Sequence, residues 1–140
     1  MDWWIFGGLL GAGLAALALV PLVPALREAY PGMADWSADA KWAYAWRYAV
    51  WTASWLIGWE FLHRYALLRA VDARWPRWGW LIAPLFETAY HLQKPLLEAG
   101  GMLALGLCLT FWAKRRRNIM LPLLVHGGIE AGLLVVLLLY

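Results

Sequence analysis

Apolar residues run along this chain in long blocks, and short charged tracts separate them. The first block extends from about Trp3 to Leu26 without a charge, enough for a helix to cross a bilayer, which takes about 20 residues. Gly7, Gly11 and Ala15 recur in it at a spacing that lets a neighbouring helix approach closely. Pro21 and Pro24 are expected to kink or end it. The block opens Met1-Asp2-Trp3-Trp4, without a basic start or a small-x-small cleavage site, and reads as a retained helix, not a cleaved signal. A polar connection follows from Arg27 to Lys41, with Pro31-Gly32 as its turn. The second block, about Trp42 to Val71, carries Glu60, His63, Arg64 and Arg69 in its second half. After the basic connection Asp72–Gly79 comes a third block, about Trp80 to Leu92, with Glu87 and His91. It is short for a full span, so a tilt or break is expected, and Lys94-Pro95 ends it. The fourth block, about Leu96 to Ala113, stops at Lys114-Arg115-Arg116-Arg117. The fifth, about Ile119 to Tyr140, starts after Asn118 and contains His126 and Glu130. No repeat of solenoid length is present. The pattern predicts an all-α, polytopic membrane helix bundle with about five transmembrane helices, as a single membrane domain over residues 1–140.

Composition strengthens the membrane reading. The chain is 64% hydrophobic and 15% charged, where a soluble domain is about half apolar and about a quarter charged. So short a chain has too much surface for its volume to hide that much apolar area from water. The twelve Trp residues suit a membrane–water interface. The net charge of +3 comes from short basic tracts between apolar blocks, which argues for lipid as partner and against nucleic acid. The positive-inside rule puts Lys114–Arg117 and the Arg-rich Asp72–Gly79 connection in the cytoplasm. The Arg27–Lys41 loop, which also holds Glu28, Asp35 and Asp39, then lies outside, giving the N-terminus in and the C-terminus out. The expected location is the inner membrane of a bacterial cell. One cysteine, Cys108, excludes an internal disulfide or a Cys-based zinc cluster and reads as a small core residue.

Ionisable side chains within apolar blocks change the picture from bundle to site. Each costs about 2.5–3.5 kcal/mol at mid-membrane on insertion scales, so such residues face the bundle interior. Glu60 and Arg64, Glu87 and His91, and His126 and Glu130 are each one helical turn apart and share a face. Convergence of the three faces would build a buried pocket of carboxylates, imidazoles and a guanidinium. Glu87 also reads as a solvated interfacial acid, and His63 as a packed or interfacial histidine. Trp51, Trp55 and Trp59 form an aromatic stripe suited to core or lipid packing.

Three motifs in order resemble the CPBP family of intramembrane proteases, the CAAX prenyl proteases and bacteriocin-processing enzymes. The family pattern is Glu-Glu-x-x-x-Arg, then aromatic-x-x-x-His, then His-x-x-x-Asn/Asp. The corresponding elements here are Trp59-Glu60-Phe61-Leu62-His63-Arg64, Phe86-Glu87-Thr88-Ala89-Tyr90-His91, and His126-Gly127-Gly128-Ile129-Glu130. The resemblance covers about Val50 to Leu138, the family-like catalytic core. It implies hydrolysis of a peptide bond in a membrane-associated protein or peptide. It gives Glu60 the activation of water, Arg64 its orientation, His91 the water side, and His126 with Glu130 the oxyanion side. Trp59 stands where the pattern has its first glutamate, Glu87 where the aromatic usually lies, and Glu130 where it has Asn or Asp.

The residues leave other chemistry open. A carboxylate among Trp and Leu side chains is pushed toward neutrality, which suits a general base, and Arg64 pulls the other way. Glu60, His91 and His126 are also a zinc ligand set, although no His-Glu-x-x-His motif is present; the reading taken is metal-free. Histidines on neighbouring apolar helices could instead hold a haem, which a Soret band would reveal. A catalytically impaired member acting as a membrane scaffold or binding protein is the third reading. An oligomer could complete so short a bundle.

Overall fold

The computed structural model describes residues 2–140, and among them every regular element is helical. The elements are α1 (Trp3–Leu17), α2 (Pro24–Ala29), α3 (Ala38–Phe61), a π-helical turn (Leu62–Leu67), α4 (Leu68–Arg74), a 3-10 turn (Gly79–Leu81), α5 (Ile82–His91), α6 (Leu96–Arg116) and α7 (Met120–Leu139). The helix from Ala38 to Arg74 is unbroken and changes only its hydrogen-bond pattern along the way. Two elements, α6 and α7, are long and apolar enough to cross a membrane. Their large apolar side chains are widely exposed, as are Trp4, Trp42 and Leu96, while Glu60, His63, Arg64 and Glu87 are buried. That distribution suits lipid as the surrounding solvent.

The first block is not one helix to Leu26. Its helix ends at Leu17, and Ala18 to Val20 close with shorter-range bonds back to Ala15, Ala16 and Leu17. Pro21 explains the stop, since its ring would strike the carbonyl four residues back, that of Leu17. The chain restarts as a helix at Pro24, whose fixed φ suits a first helical position. Met1, part of the expected retained segment, lies outside the described residues.

Packing divides the chain into two compact units, one made of the residues up to Leu56 with Val125–Tyr140, the other of Ile57–Leu124. In the first unit α1 packs on α7 through glycines. A Cβ on Gly13 would strike Ile129, one on Gly128 would meet Leu10 at 2.7 Å, and one on Gly132 would strike Leu14. The expected close approach at Gly7 and Gly11 is absent, since nothing lies within 4 Å of a Cβ at either. Gly13, further along α1 and at a different angle, carries the contact together with Gly128 and Gly132 of α7. Val20, Met33, Leu133 and Leu137 form the core nearby. The end of α7 is tied down by backbone: Met33 and Ala34 donate to the Leu137 and Tyr140 carbonyls at 2.8 Å, satisfying acceptors a helix end leaves open. The Tyr140 hydroxyl donates to the Tyr30 carbonyl, and Gly32 lies against the Tyr140 backbone with no room for a side chain. Gly132→Val is therefore expected to lower stability by about 1–3 kcal/mol, the range for overpacking, while Gly11→Ala is neutral or mildly stabilising. Thermal unfolding in detergent compares the two.

In the second unit α5 packs along α6. Gly106 of α6 meets Pro84 and Glu87 of α5 so closely that a Cβ would lie 3.0 Å from Glu87 Oε2. Trp80 and Phe111 meet edge to face at 5.9 Å. Lys114 near the end of α6 donates to Asp72 Oδ1 at 2.5 Å and to the Pro76 carbonyl at 2.9 Å, fixing the connection after α4. Lys114, Arg115 and Arg116 sit in the last turn of α6, where cations favour the helix dipole. Arg117 ends α6 in the left-handed region (φ 50°), and the Asn118 side chain accepts from Met120 N at 2.6 Å to begin α7. Cys108, expected in the core, is exposed on α6: in a lipid-facing helix an apolar position need not be an inner one.

Candidate active site

The buried acid–base residues of the second unit come from the end of α3, the π turn and α5. Glu60 is the last residue but one of α3, and His63 and Arg64 lie in the π turn. A π turn adds a residue to the helical period and is frequent at functional sites. Here it brings two successive polar residues to the buried side, with His63 1% and Arg64 4% exposed. Glu60 and Glu87 are fully enclosed, each 0% exposed.

Arg64 sits between the two acids. Its Nε lies 3.8 Å from Glu60 Oε2, and its Nη1 is hydrogen-bonded to Glu87 Oε1. His63 Nδ1 is 3.9 Å from the same Glu87 oxygen. One guanidinium thus serves two buried carboxylates, a net negative cluster when both acids are ionised and His63 is neutral. Such burial is tolerated only where charge and hydrogen bonds compensate the lost hydration. Glu87 Oε2 has no hydrogen-bond partner among the described residues, and it faces the Gly106 backbone. One turn further along α6, Thr110 Oγ1 is also buried without a partner among the described residues.

The histidines are oriented by backbone. His63 Nδ1 is 2.9 Å from the Trp59 carbonyl, and His91 Nδ1 is 2.9 Å from the Glu87 carbonyl. A carbonyl only accepts, so Nδ1 carries the proton in both rings, and Nε2 carries the lone pair when the ring is neutral. Trp59 packs on His63 with ring centroids 4.2 Å apart and on Tyr90 at 5.1 Å. His91, 8% exposed, is flanked by Tyr90.

These positions revise two expectations. Glu87 is not a solvated interfacial acid, because it is enclosed and bound to Arg64. Its pairing with His91 runs through its own main-chain carbonyl, while its carboxylate turns to α3's continuation. His63 is packed, as expected, and lies beside the acid cluster. Glu87, read in the sequence as part of a converging polar pair but given no catalytic role, and His63 join the candidate site. The available signal was a lone acid one turn before His91 on an apolar helix.

The first unit holds the third polar pair. His126 Nε2 is 3.8 Å from Glu130 Oε1, and His126 is 5% exposed with Trp55 against its ring at 5.6 Å. Glu130 Oε2 accepts from the Tyr48 hydroxyl at 2.5 Å. Tyr48 had no local signal in the sequence. Gly127, beside His126, leaves space that Leu56 of α3 fills; a Cβ there would stand 3.3 Å from its side chain. Among the described residues no group of three or more His, Cys, Asp or Glu could hold a metal ion.

Fold and site together define a helical membrane protein with a buried acid, arginine and histidine centre. The family model for type II CAAX prenyl endopeptidase Rce1-like proteins matches residues 40–132, two thirds of the chain, and the chain belongs to that family. The family is one of membrane-embedded proteases, so the chain is a peptidase with a peptide or protein substrate. The match takes in Glu60, Arg64, His91, His126 and Glu130. Neither the curated proteins nor the solved structures compared with the chain give a match.

Proposed function

We propose that the chain is an intramembrane endopeptidase in which Glu60 activates a water for attack on a peptide bond of a membrane-associated protein or peptide. The observation that carries this reading is the enclosed pair Glu60 and Glu87 on either side of Arg64. A general base needs an oxygen held away from bulk water, and the full enclosure of Glu60 provides that. Arg64 keeps the pair from excess negative charge and fixes its geometry. Glu87 supplies the second carboxylate that the family pattern has beside Glu60 and that Trp59 lacks.

In the reaction, the water oxygen attacks the carbonyl carbon while its proton passes to Glu60. The carbon–nitrogen bond then breaks, and the proton moves to the departing amine. His91, with Nε2 as its working nitrogen, sits on the water side. By resemblance to the family pattern, His126 and Glu130 take the oxyanion side. A carboxylate touching an oxyanion would repel it. Glu130 is occupied by Tyr48 and His126, and its part is to hold the imidazole while His126 donates.

We further read the chain as crossing the bacterial inner membrane about five times, N-terminus in and C-terminus out. The basic tracts at Asp72–Gly79 and Lys114–Arg117 support that orientation.

The test uses the full chain reconstituted in liposomes and a peptide with a prenylated cysteine near its C-terminus, the substrate class in the family's name. Mass spectrometry of the products is expected to find one cut near that cysteine, with a molecule of water added across the bond. His91→Ala is expected to slow the cut by about 10²–10⁴-fold, the usual contribution of acid–base assistance. An intact peptide after prolonged incubation with the wild-type chain, over a range of membrane-anchored sequences, rejects the reading.

A further inference from the structure

A second cluster of cations lies within the Ile57–Leu124 unit, around a cavity that Arg64 also lines. A cavity of about 340 Å³ has Arg64 among its lining residues, with Arg69, Lys114 and Arg117 around it. Leu68 and Ala113 are among its apolar walls. The four cations come from the π turn, α4, the last turn of α6 and the residue after it.

Their charges are not equally committed. Arg64 is neutralised by Glu60 and Glu87. Lys114 is held by Asp72, the one acid lining the cavity. Arg69 and Arg117 have no carboxylate partner among the described residues. Arg69 donates to the Tyr65 hydroxyl at 3.1 Å and lies over the Tyr65 ring at 4.0 Å. A guanidinium pinned on an aromatic face loses less freedom when it takes a ligand. Arg117 is the one described non-glycine residue with positive φ. Helix ends of this kind usually use glycine, and strained backbone held by a side-chain-bearing residue collects at ligand sites.

We propose that this cavity binds a phosphate, presented as the headgroup of an anionic phospholipid. It sits where α6, a helix long enough to cross a membrane, ends in its basic run. Basic pockets at cytoplasmic helix ends suit lipid phosphates. Apolar walls beside the cations suit the glycerol and first acyl carbons better than they suit a bare ion. A basic run that only obeyed the positive-inside rule would need neither a cavity nor two arginines without carboxylate partners lining it. The proposal does not depend on the peptidase reading.

The test titrates the purified full chain in detergent with short-chain phosphatidylglycerol, short-chain phosphatidylcholine and sodium phosphate, reading the melting temperature and bound lipid by native mass spectrometry. Phosphatidylglycerol is expected to bind and stabilise selectively. Each surface-near cation contributes about a five-fold preference, so Arg69→Ala with Arg117→Ala should reduce affinity about 25-fold. The Arg69→Lys with Arg117→Lys variant keeps the charge and should retain most of it. An unchanged melting temperature of the alanine variant without lipid shows that folding is intact; if it falls, the lysine variant and the bound-lipid spectrum decide. Equal binding of phosphatidylglycerol and phosphatidylcholine, or equal selectivity in wild type and alanine variant, overturns the proposal. Stabilisation by sodium phosphate alone, as strong as that by phosphatidylglycerol, overturns the lipid source and leaves a soluble phosphate as ligand.

Discussion

Arg64→Leu is expected to destabilise the protein by about 3–5 kcal/mol, the cost of removing one partner from a buried ionic cluster. The arginine is 4% exposed and both its acids are 0% exposed, so the guanidinium is their compensating charge away from bulk water. Its removal leaves Glu60 and Glu87 as like charges inside one helical unit, one of them losing a direct hydrogen bond. Domains have only about 5–15 kcal/mol of stability in all, so the loss takes a large share of it. Charge, and not volume, is the cause, because leucine fills much of the space. Replacing Glu87 by leucine in the same chain should therefore restore part of the loss, as apolar pairs often substitute for buried ion pairs. Thermal unfolding in detergent measures both. A change within about 1 kcal/mol for Arg64→Leu would mean that the acids are already neutral or hydrated.

What the sequence shows well is what depends on neighbours along the chain. The four-residue spacing of Glu60 and Arg64, and of His126 and Glu130, is matched by side-chain contacts at 3.8 Å because a helix puts those positions on one face. The break at Lys94-Pro95 and the start at Asn118 have local chemical causes and fall where expected. What depends on contacts across the chain is not visible there. The bond from Arg64 to Glu87 joins residues far apart in sequence, so spacing pairs Glu87 with His91 and does not show its tie to the guanidinium. Tyr48 and Glu130 are separated by a still longer stretch. The π turn at Leu62–Leu67 has no sequence mark, yet it sets the angle of His63 and Arg64. Gly7 and Gly11 show the same lesson from the other side: their spacing was suited to close packing, but the neighbour lies against Gly13. Cys108 was taken for a core residue because apolar surroundings in sequence do not separate the inside of a bundle from its lipid face.

The role of Glu60 gives the second large effect. Glutamine keeps the size and one acceptor oxygen of the side chain but cannot take a proton from water. The loss should appear in the chemical step, as a fall in kcat of about 10²–10⁴-fold or below detection, with KM little changed, since Glu60 is not asked to bind the peptide. Folding is expected to hold, because Arg64 keeps Glu87 as its hydrogen-bonded partner. The decisive measurement is the single-turnover rate of prenylated-peptide cleavage by liposomes holding the wild-type chain or Glu60→Gln, at matched amounts of folded protein. A cut made by the wild type and lost in the glutamine variant is the expected result; equal rates from the two would remove Glu60, and the enclosed acid pair with it, from the chemistry.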